Sequence, residues 1–183
     1  FLMIRRPPRS TLSIRRQRQM CIRDSHEYSS IEKLETCAIR SLNEIPNISK
    51  VAKGAQKSFI SFLAEWCPNC DYEAVQLREY YKNYETEFDF YLVMLFSSNE
   101  LNNIFLKKYD LQMKRIKGEL YAKDEKLNLS SKFCNFRNII NDDRKWGVPM
   151  HIIKIGYNNF FTIKGESIKR EVVTLLEEGN GED

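Results

Sequence analysis

SFLAEWCPNC, residues 61–70, decides how this chain is read. It closes SFISFLAEW (58–66), an apolar, aromatic-rich run of strand length. The next stretch, DYEAVQLREYYKNY (71–84), carries apolar or aromatic side chains at Tyr72, Val75, Leu77, Tyr80, Tyr81 and Tyr84, a helical pattern. Cys67 and Cys70 therefore fall where a strand ends and a helix begins. Three chemistries compete for such a pair. A structural zinc needs four ligands, usually in two pairs. Cys134 and His151 could join Cys67 and Cys70, but neither makes a second pair at ligand spacing. A purely structural disulfide would close a loop of a few residues and restrict the unfolded chain little.

The reactive reading has a physical basis. A thiol at a helix N-terminus meets unpaired backbone N–H groups and the positive end of the helix dipole. Both favour thiolate, so the pKa of Cys67 should fall below that of a free cysteine. Cys70, one turn deeper and nearer the core, is placed to act as a resolving thiol. Pro68 suits the first helical turn, where its missing N–H costs nothing.

Working outward, residues 29–45 carry Ile31, Leu34, Ala38, Leu42 and Ile45 at steps of three and four after the candidate caps Ser29 and Ser30. The expectation is a helix over 29–45, ended by Pro46, with Cys37 a small buried hydrophobe. A loop containing Gly54 leads into the strand of 58–66. FDFYLVMLFS (88–97) is nearly continuous in apolar residues, as suits a strand buried on both faces. LNNIFLKKYDL (101–111) is amphipathic and helical. Within 112–147, GELYAKD reads as a short strand, and LNLSSKFCNFRNII as helix or loop. VPMHIIKIG (148–156) and FFTIKG (160–165) read as strands around a YNN turn, and SIKREVVTLLEE as a closing helix capped by Ser167. The order strand, helix, strand, helix, insert, strand, strand, helix predicts an α/β domain with a central mixed sheet and helices on both faces.

The composition fits one soluble globular domain: 183 residues, 42% hydrophobic and 30% charged. No run of 18 apolar residues is present. Five cysteines are too few for a disulfide scaffold of this length. The net charge of +4 is unevenly spread. Residues 1–25 hold seven arginines and one acid, while residues 26–183 hold 22 Lys and Arg against 24 Asp and Glu. A basic arm of this kind could serve nucleic acid, an anionic membrane or transit. FLMIRRPPRSTL and QRQMCIRDS instead resemble translated sequencing-adapter read-through. Residues 1–25 are therefore read as a disordered, non-native artefact, and residues 26–183 as a single domain with its core over about 55–178 and an insert over about 112–147.

SFLAEWCPNC resembles the active-site segment of the thioredoxin superfamily, with Ala64, Glu65, Trp66, Cys67 and Cys70 matching, as a C-x-x-C beside a βαβ pattern does in general. The resemblance implies a thioredoxin-like fold. It also implies a cis-proline facing the dithiol after an apolar residue, a place that Val148 and Pro149 fill. The 79 positions between Cys70 and Pro149 include a central insert similar to that of TlpA/ResA-like thiol-disulfide oxidoreductases, which mostly work outside the bacterial cytoplasm. The resemblance covers roughly residues 55–178. Two departures stand out. Ser61 occupies the place of the buried aspartate of thioredoxins, which leaves water, Glu65 or a group of the insert to take the proton of Cys70. Pro68 and Asn69 replace the Gly-Pro between the cysteines and should tune the potential.

The resemblance implies a protein-disulfide oxidoreductase with Cys67 as nucleophile and Cys70 as resolving thiol, and with Trp66, Pro68, Asn69, Val148 and Pro149 shaping the groove for a disulfide-containing protein. No metal or organic cofactor is expected beyond the redox-active disulfide. An electron-donor redox protein is expected as second partner, nucleic acid is not, and a monomer is expected. The same steps run backwards describe an oxidant or isomerase, and a non-catalytic binding module is the third alternative; a peroxidase does not use so close a pair. Ser131–Gly147, with Cys134, Arg144, Lys145 and Trp146, reads as a lid or recognition element or else as a solvated loop. Cys134 reads as structural and His151 as a partly buried strand residue.

Overall fold

The computed structural model describes residues 26–180; the reading of residues 1–25 as an artefact lies outside them. The elements run β1 Tyr28–Ser29, β2 Glu32–Lys33, α1 Thr36–Leu42, α2 Ile48–Gly54, β3 Lys57–Leu63, α3 Pro68–Tyr84, β4 Asp89–Met94, α4 Asn99–Tyr109, β5 Lys114–Ile116, α5 Glu125–Ser130, α6 Lys132–Ile139, β6 Met150–Ile155, β7 Asn159–Ile163, β8 Glu166–Ser167 and α7 Lys169–Asn180. Six strands form one mixed sheet in the order β2-β7-β6-β3-β4-β5. β3 lies at its centre, parallel to β4 and antiparallel to β6. β1 and β8 form a separate parallel pair. Helices flank the sheet: α3 packs on α4, α7 and β8, and α1 packs on α6.

The central strands are buried on both faces, as their apolar runs require. Phe59, Ile60, Phe62 and Leu63 of β3 and Ile152 and Ile153 of β6 are fully inside. Each such side chain contributes about 1.5–3 kcal/mol by leaving water. The parallel β3–α3–β4 unit brings the C-terminal ends of both strands to one edge of the sheet, where β3 hands over to α3.

Several expectations change. Residues 29–35 are not helix: Glu32 and Lys33 pair with Thr162 and Phe161 at the sheet edge, and the Leu34 N–H donates to the Phe160 carbonyl. The apolar spacing did mark the inward side, since Leu34, Ala38, Leu42 and Ile45 are all buried. An edge strand won over the first helical turn because β7 otherwise leaves its backbone groups unpaired. The loop before β3 contains the helix α2. The insert adds its strand at Lys114–Ile116, against β4, rather than at GELYAKD. Glu119 of that stretch instead accepts from the Lys132 and Phe133 N–H groups that open α6. Ser167 does not cap the closing helix; it lies in β8, and its hydroxyl donates to Glu73. Cys37 is exposed.

Candidate functional site

Cys67 ends the strand–helix junction as the N-cap of α3, with extended backbone, and Pro68 follows at the first helical position. Its carbonyl accepts from the Cys70 and Asp71 N–H groups, which closes the first turn. That turn puts both sulfur atoms on the inward side of the helix end: Cys67 is 7% exposed and Cys70 not at all. The structure carries both as thiols.

The two thiols have opposite acidities. The Cys67 pKa drops from 9.0 to about 7, chiefly through a hydrogen bond from the Cys70 thiol. Burial works against this, and the N–H groups of Cys70 and Asn69 add to the fall. Burial pushes the Cys70 thiol well up, and its bond to Cys67 and the charges of Cys67 and Glu73 add to the rise. The Cys70 sulfur also accepts from the Ala64 N–H at 3.5 Å, which lowers its pKa only in part. Cys67 is thus prepared as a thiolate and Cys70 as the thiol that stabilises it.

Opposite the dithiol, the Val148–Pro149 peptide bond is cis. The Cys67 thiol donates to the Val148 carbonyl at 3.6 Å. Gly147, just before, has a φ of +67°, and the Arg137 side chain occupies the space that a Cβ would need. Trp66 borders the other side: its Nε1–H donates to the Phe96 carbonyl at 3.4 Å. Phe96 itself has a φ of 63°, an uncommon conformation for a bulky residue. Pro68 is exposed and Asn69 half-buried at the rim. The residues expected from sequence around the dithiol therefore gather at one edge of the sheet, except that Glu65 makes no recorded hydrogen bond to Cys70. A cavity of about 570 Å³ lies at the other end of the sheet, beside Gln56, Lys57 and Glu85–Asp89.

The insert is packed rather than solvated. Trp146 meets the Trp66 ring edge-on, with centroids 5.6 Å apart, and the Phe96 ring at 5.1 Å. Phe133 of α6 packs on Phe62 of β3. A buried Arg137–Asp142–Arg144 network holds the chain leading back to Gly147: Asp142 accepts from Arg137 Nε at 3.1 Å and from Arg144 Nε and Nη2 at 2.8 and 2.9 Å. Arg144 also donates to the Pro149 carbonyl at 3.0 Å. Lys123 stands 3.6 Å above the Trp66 ring. Cys134 is buried in α6, away from the dithiol partners.

Sequence reasoning missed the polar cluster behind the dithiol. The inward face of α3 is Cys70, Glu73, Ala74, Leu77 and Tyr80, whereas Tyr72 and Val75 are exposed. Glu73 is fully buried and accepts from the Ser167 N–H at 2.8 Å and the Ser167 hydroxyl at 2.6 Å. His151, on β6 and fully buried, brings Nε2 to 3.2 Å from Glu73 Oε1, an ion-pair distance at a poor hydrogen-bond angle. Its Nδ1 lies 2.9 Å from the Ser61 hydroxyl. Burial pushes the Glu73 carboxyl up, but the His151 ring and Ser167 outweigh it and hold the carboxyl below its ordinary range. The missed signal was spacing: three residues after Cys70, Glu73 must share its face of the helix. Among the described residues, no three His, Cys, Asp or Glu side chains are gathered as a metal site.

No protein-family model matches the chain, and no curated protein matches it. Solved structures do. A secreted disulfide oxidoreductase of Mycobacterium tuberculosis, homologous to E. coli DsbE, superposes with a TM-score of 0.52 at 12% identity, over 70% of this chain and 85% of that one. A thiol:disulfide interchange protein of the thioredoxin family from Chlorobium tepidum gives 0.52 at 17% identity, over 72% and 83%. A secreted thiol-disulfide isomerase from Corynebacterium glutamicum gives 0.52 at 12%, over 69% and 72%. The fold is that of thioredoxin-like proteins, as the sequence resemblance implied.

Proposed function

We propose that this protein is a thiol-disulfide oxidoreductase that reduces disulfides in partner proteins through Cys67 and Cys70. The observation that carries the reading is the pairing of a Cys67 thiol lowered to about 7 with a Cys70 thiol raised well above its ordinary value, both at one helix N-terminus. The Cys67 thiolate attacks one sulfur of the partner disulfide, and the partner's other sulfur leaves with the electron pair of the broken bond. Cys70 then loses its proton and attacks the Cys67 sulfur. The mixed disulfide breaks, the partner's second sulfur leaves as thiolate, and two electrons have passed from the dithiol to the partner. A separate electron donor must restore the dithiol. The chemistry needs no metal or organic cofactor.

Trp66, Pro68, Asn69, Val148 and Pro149 would form the docking groove. The Val148 carbonyl, already within reach of the Cys67 sulfur, offers a backbone acceptor to an extended partner segment. The direction of transfer is argued from the thiol: a value of about 7 lies beside the ~7 of thioredoxin, a reductant, and far from the ~3.5 of the strong oxidant DsbA. A site outside the cytoplasm is part of the proposal, drawn from the TlpA/ResA-like resemblance. Among the described residues no helix is long and apolar enough to cross a membrane.

The test is insulin reduction with dithiothreitol as donor, together with a redox titration in glutathione buffers and mass-spectrometric location of the oxidised pair. Reduction that disappears in Cys67→Ser and a Cys67–Cys70 potential near or below roughly −250 mV support the reading. A potential near about −120 mV would make the protein an oxidant. If the two cysteines never pair, the oxidoreductase reading fails and a binding module replaces it.

A further inference from the structure

The resolving step takes a proton from a thiol that water does not reach, since Cys70 is fully buried. Burial disfavours its thiolate, so an internal acceptor is required. Glu73 lies one helical turn beyond Cys70 on the same inward face, and its charge already acts on the Cys70 thiol. A lone carboxylate there would hinder the step, because the thiolate would be a second buried negative charge. His151 removes that difficulty. Its ring stands between Glu73 Oε1, at 3.2 Å, and the Ser61 hydroxyl, at 2.9 Å. The strand register fixes this placement, because His151 and Ser61 are directly opposed in the β3–β6 pair. A hydroxyl can accept from or donate to Nδ1, so Ser61 serves the ring in either protonation state.

Resting on the dithiol reading, we propose that His151 is a positioning residue that takes up, through Glu73, the proton released by Cys70 and returns it when the dithiol is reduced again. Before the step Cys70 is a thiol, Glu73 a carboxylate and His151 neutral. As Cys70 attacks, its proton passes to the pair and His151 becomes an imidazolium beside the carboxylate. The buried charge is one negative before the transfer and one negative after it, so no second uncompensated charge is created in the core. Once the Cys67–Cys70 bond has formed, the proton leaves to the departing partner thiolate or to solvent. The resemblance places an aspartate at position 61; here the neutral Ser61 leaves the ring with one charged neighbour.

The other titratable groups around the ring are engaged elsewhere. Tyr80 of α3 bonds to Ser167, not to the ring. Glu166 of β8 is paired with His26 at 2.6 Å. Lys154 of β6 donates to the Ala55 carbonyl, and Lys57 sits at the far end of β3, opposite Ile155. β7 presents Ile163 opposite His151 and carries no titratable side chain. Phe59 closes the site with its ring edge, 5.5 Å away.

The test uses the full reduced chain and the chromogenic disulfide 5,5′-dithiobis(2-nitrobenzoate). Attack by Cys67 releases one thionitrobenzoate, and resolution by Cys70 releases the second. In His151→Gln the ratio of second to first release rates should fall about tenfold near neutral pH, and the inflection of the second step should move. Ser61→Ala should move that inflection too, with a smaller loss of rate. A His151→Gln protein with the wild-type ratio and pH profile overturns the proposal alone. A wild type that makes no first release sinks the dithiol reading and this proposal with it. Should His151→Gln not fold, the His151 ring resonances of the wild type, followed from about pH 5 to pH 9, decide the matter. They should titrate along different curves in the reduced and oxidised proteins; coincident curves overturn the proposal.

Discussion

Residues 57–84 and residues 112–147 both border the dithiol, and they are held in place by different means. In the first, the backbone does the work: a buried strand runs directly into a helix whose first N–H groups face Cys67. The residues between the cysteines sit at the rim and make no part of the core. In the second, side chains do the work. Phe133 and Trp146 bury against β3 and Phe96, and two arginines close on one aspartate. The first region can therefore prepare a thiolate whatever its neighbours are, whereas the second keeps its shape only while specific pairs remain matched.

The largest effect should come from breaking that matching. Asp142→Ala leaves Arg137, 3% exposed, without its carboxylate, and an unpaired buried charge of this kind costs about 3–5 kcal/mol. Urea unfolding should show a loss of that order. Burial raises the Asp142 carboxyl, but Arg144 and Arg137 outweigh it and hold it below its ordinary value. Its stabilising contribution is therefore present at neutral pH and fades as pH falls through that lowered value. The alkylation rate of Cys67 in folded Asp142→Ala should be that of wild type. A loss under about 1 kcal/mol would mean that the insert is held by apolar packing alone.

The same contrast explains what could be read in the sequence. The strand–helix junction around Cys67 is a local event, marked by an apolar run, a proline and a helical pattern within a few residues. Val148–Pro149 could be placed because it precedes the next long apolar run. β2 and β5 have no local signature: two or three polar residues become strand only because β7 and β4 present open edges. Glu73 and His151 escaped because charged residues are ordinarily assigned to solvent. Each is affordable inside only beside the other, and they meet across 78 positions of chain. Ser167 looked like a helix cap for the same reason: its true partner, Glu73, is distant in sequence.

The backbone half can be examined by pH. Iodoacetamide alkylation of Cys67, located by peptide mass spectrometry because Cys37 also carries an exposed thiol, should rise with pH and level off above about 7. A lowered thiol pKa means that thiolate is the major form above that value. Below it the rate should fall about tenfold per pH unit, or roughly 1.4 kcal/mol. A rate still climbing steeply at pH 9 would mean that the Cys70 thiol and the helix N–H groups do not act on Cys67 as the geometry requires.

The smallest expected effect probes where the two regions touch. Lys123 belongs to the insert, and its ammonium lies 3.6 Å from the centre of the Trp66 ring and 5.6 Å from that of Trp146. The side chain is exposed, so this cation–π contact is worth about 0.5–1 kcal/mol. Lys123→Ala should lower the unfolding free energy by that amount in urea titrations. It should leave the alkylation midpoint of Cys67 where it is, because the groups acting on that thiol are Cys70, Asn69 and Glu27, not Lys123. A shifted midpoint would show that a charge from the insert helps to set the thiolate. The division between a backbone-built nucleophile and a side-chain-built wall would then fail, and the insert would belong to the redox chemistry itself.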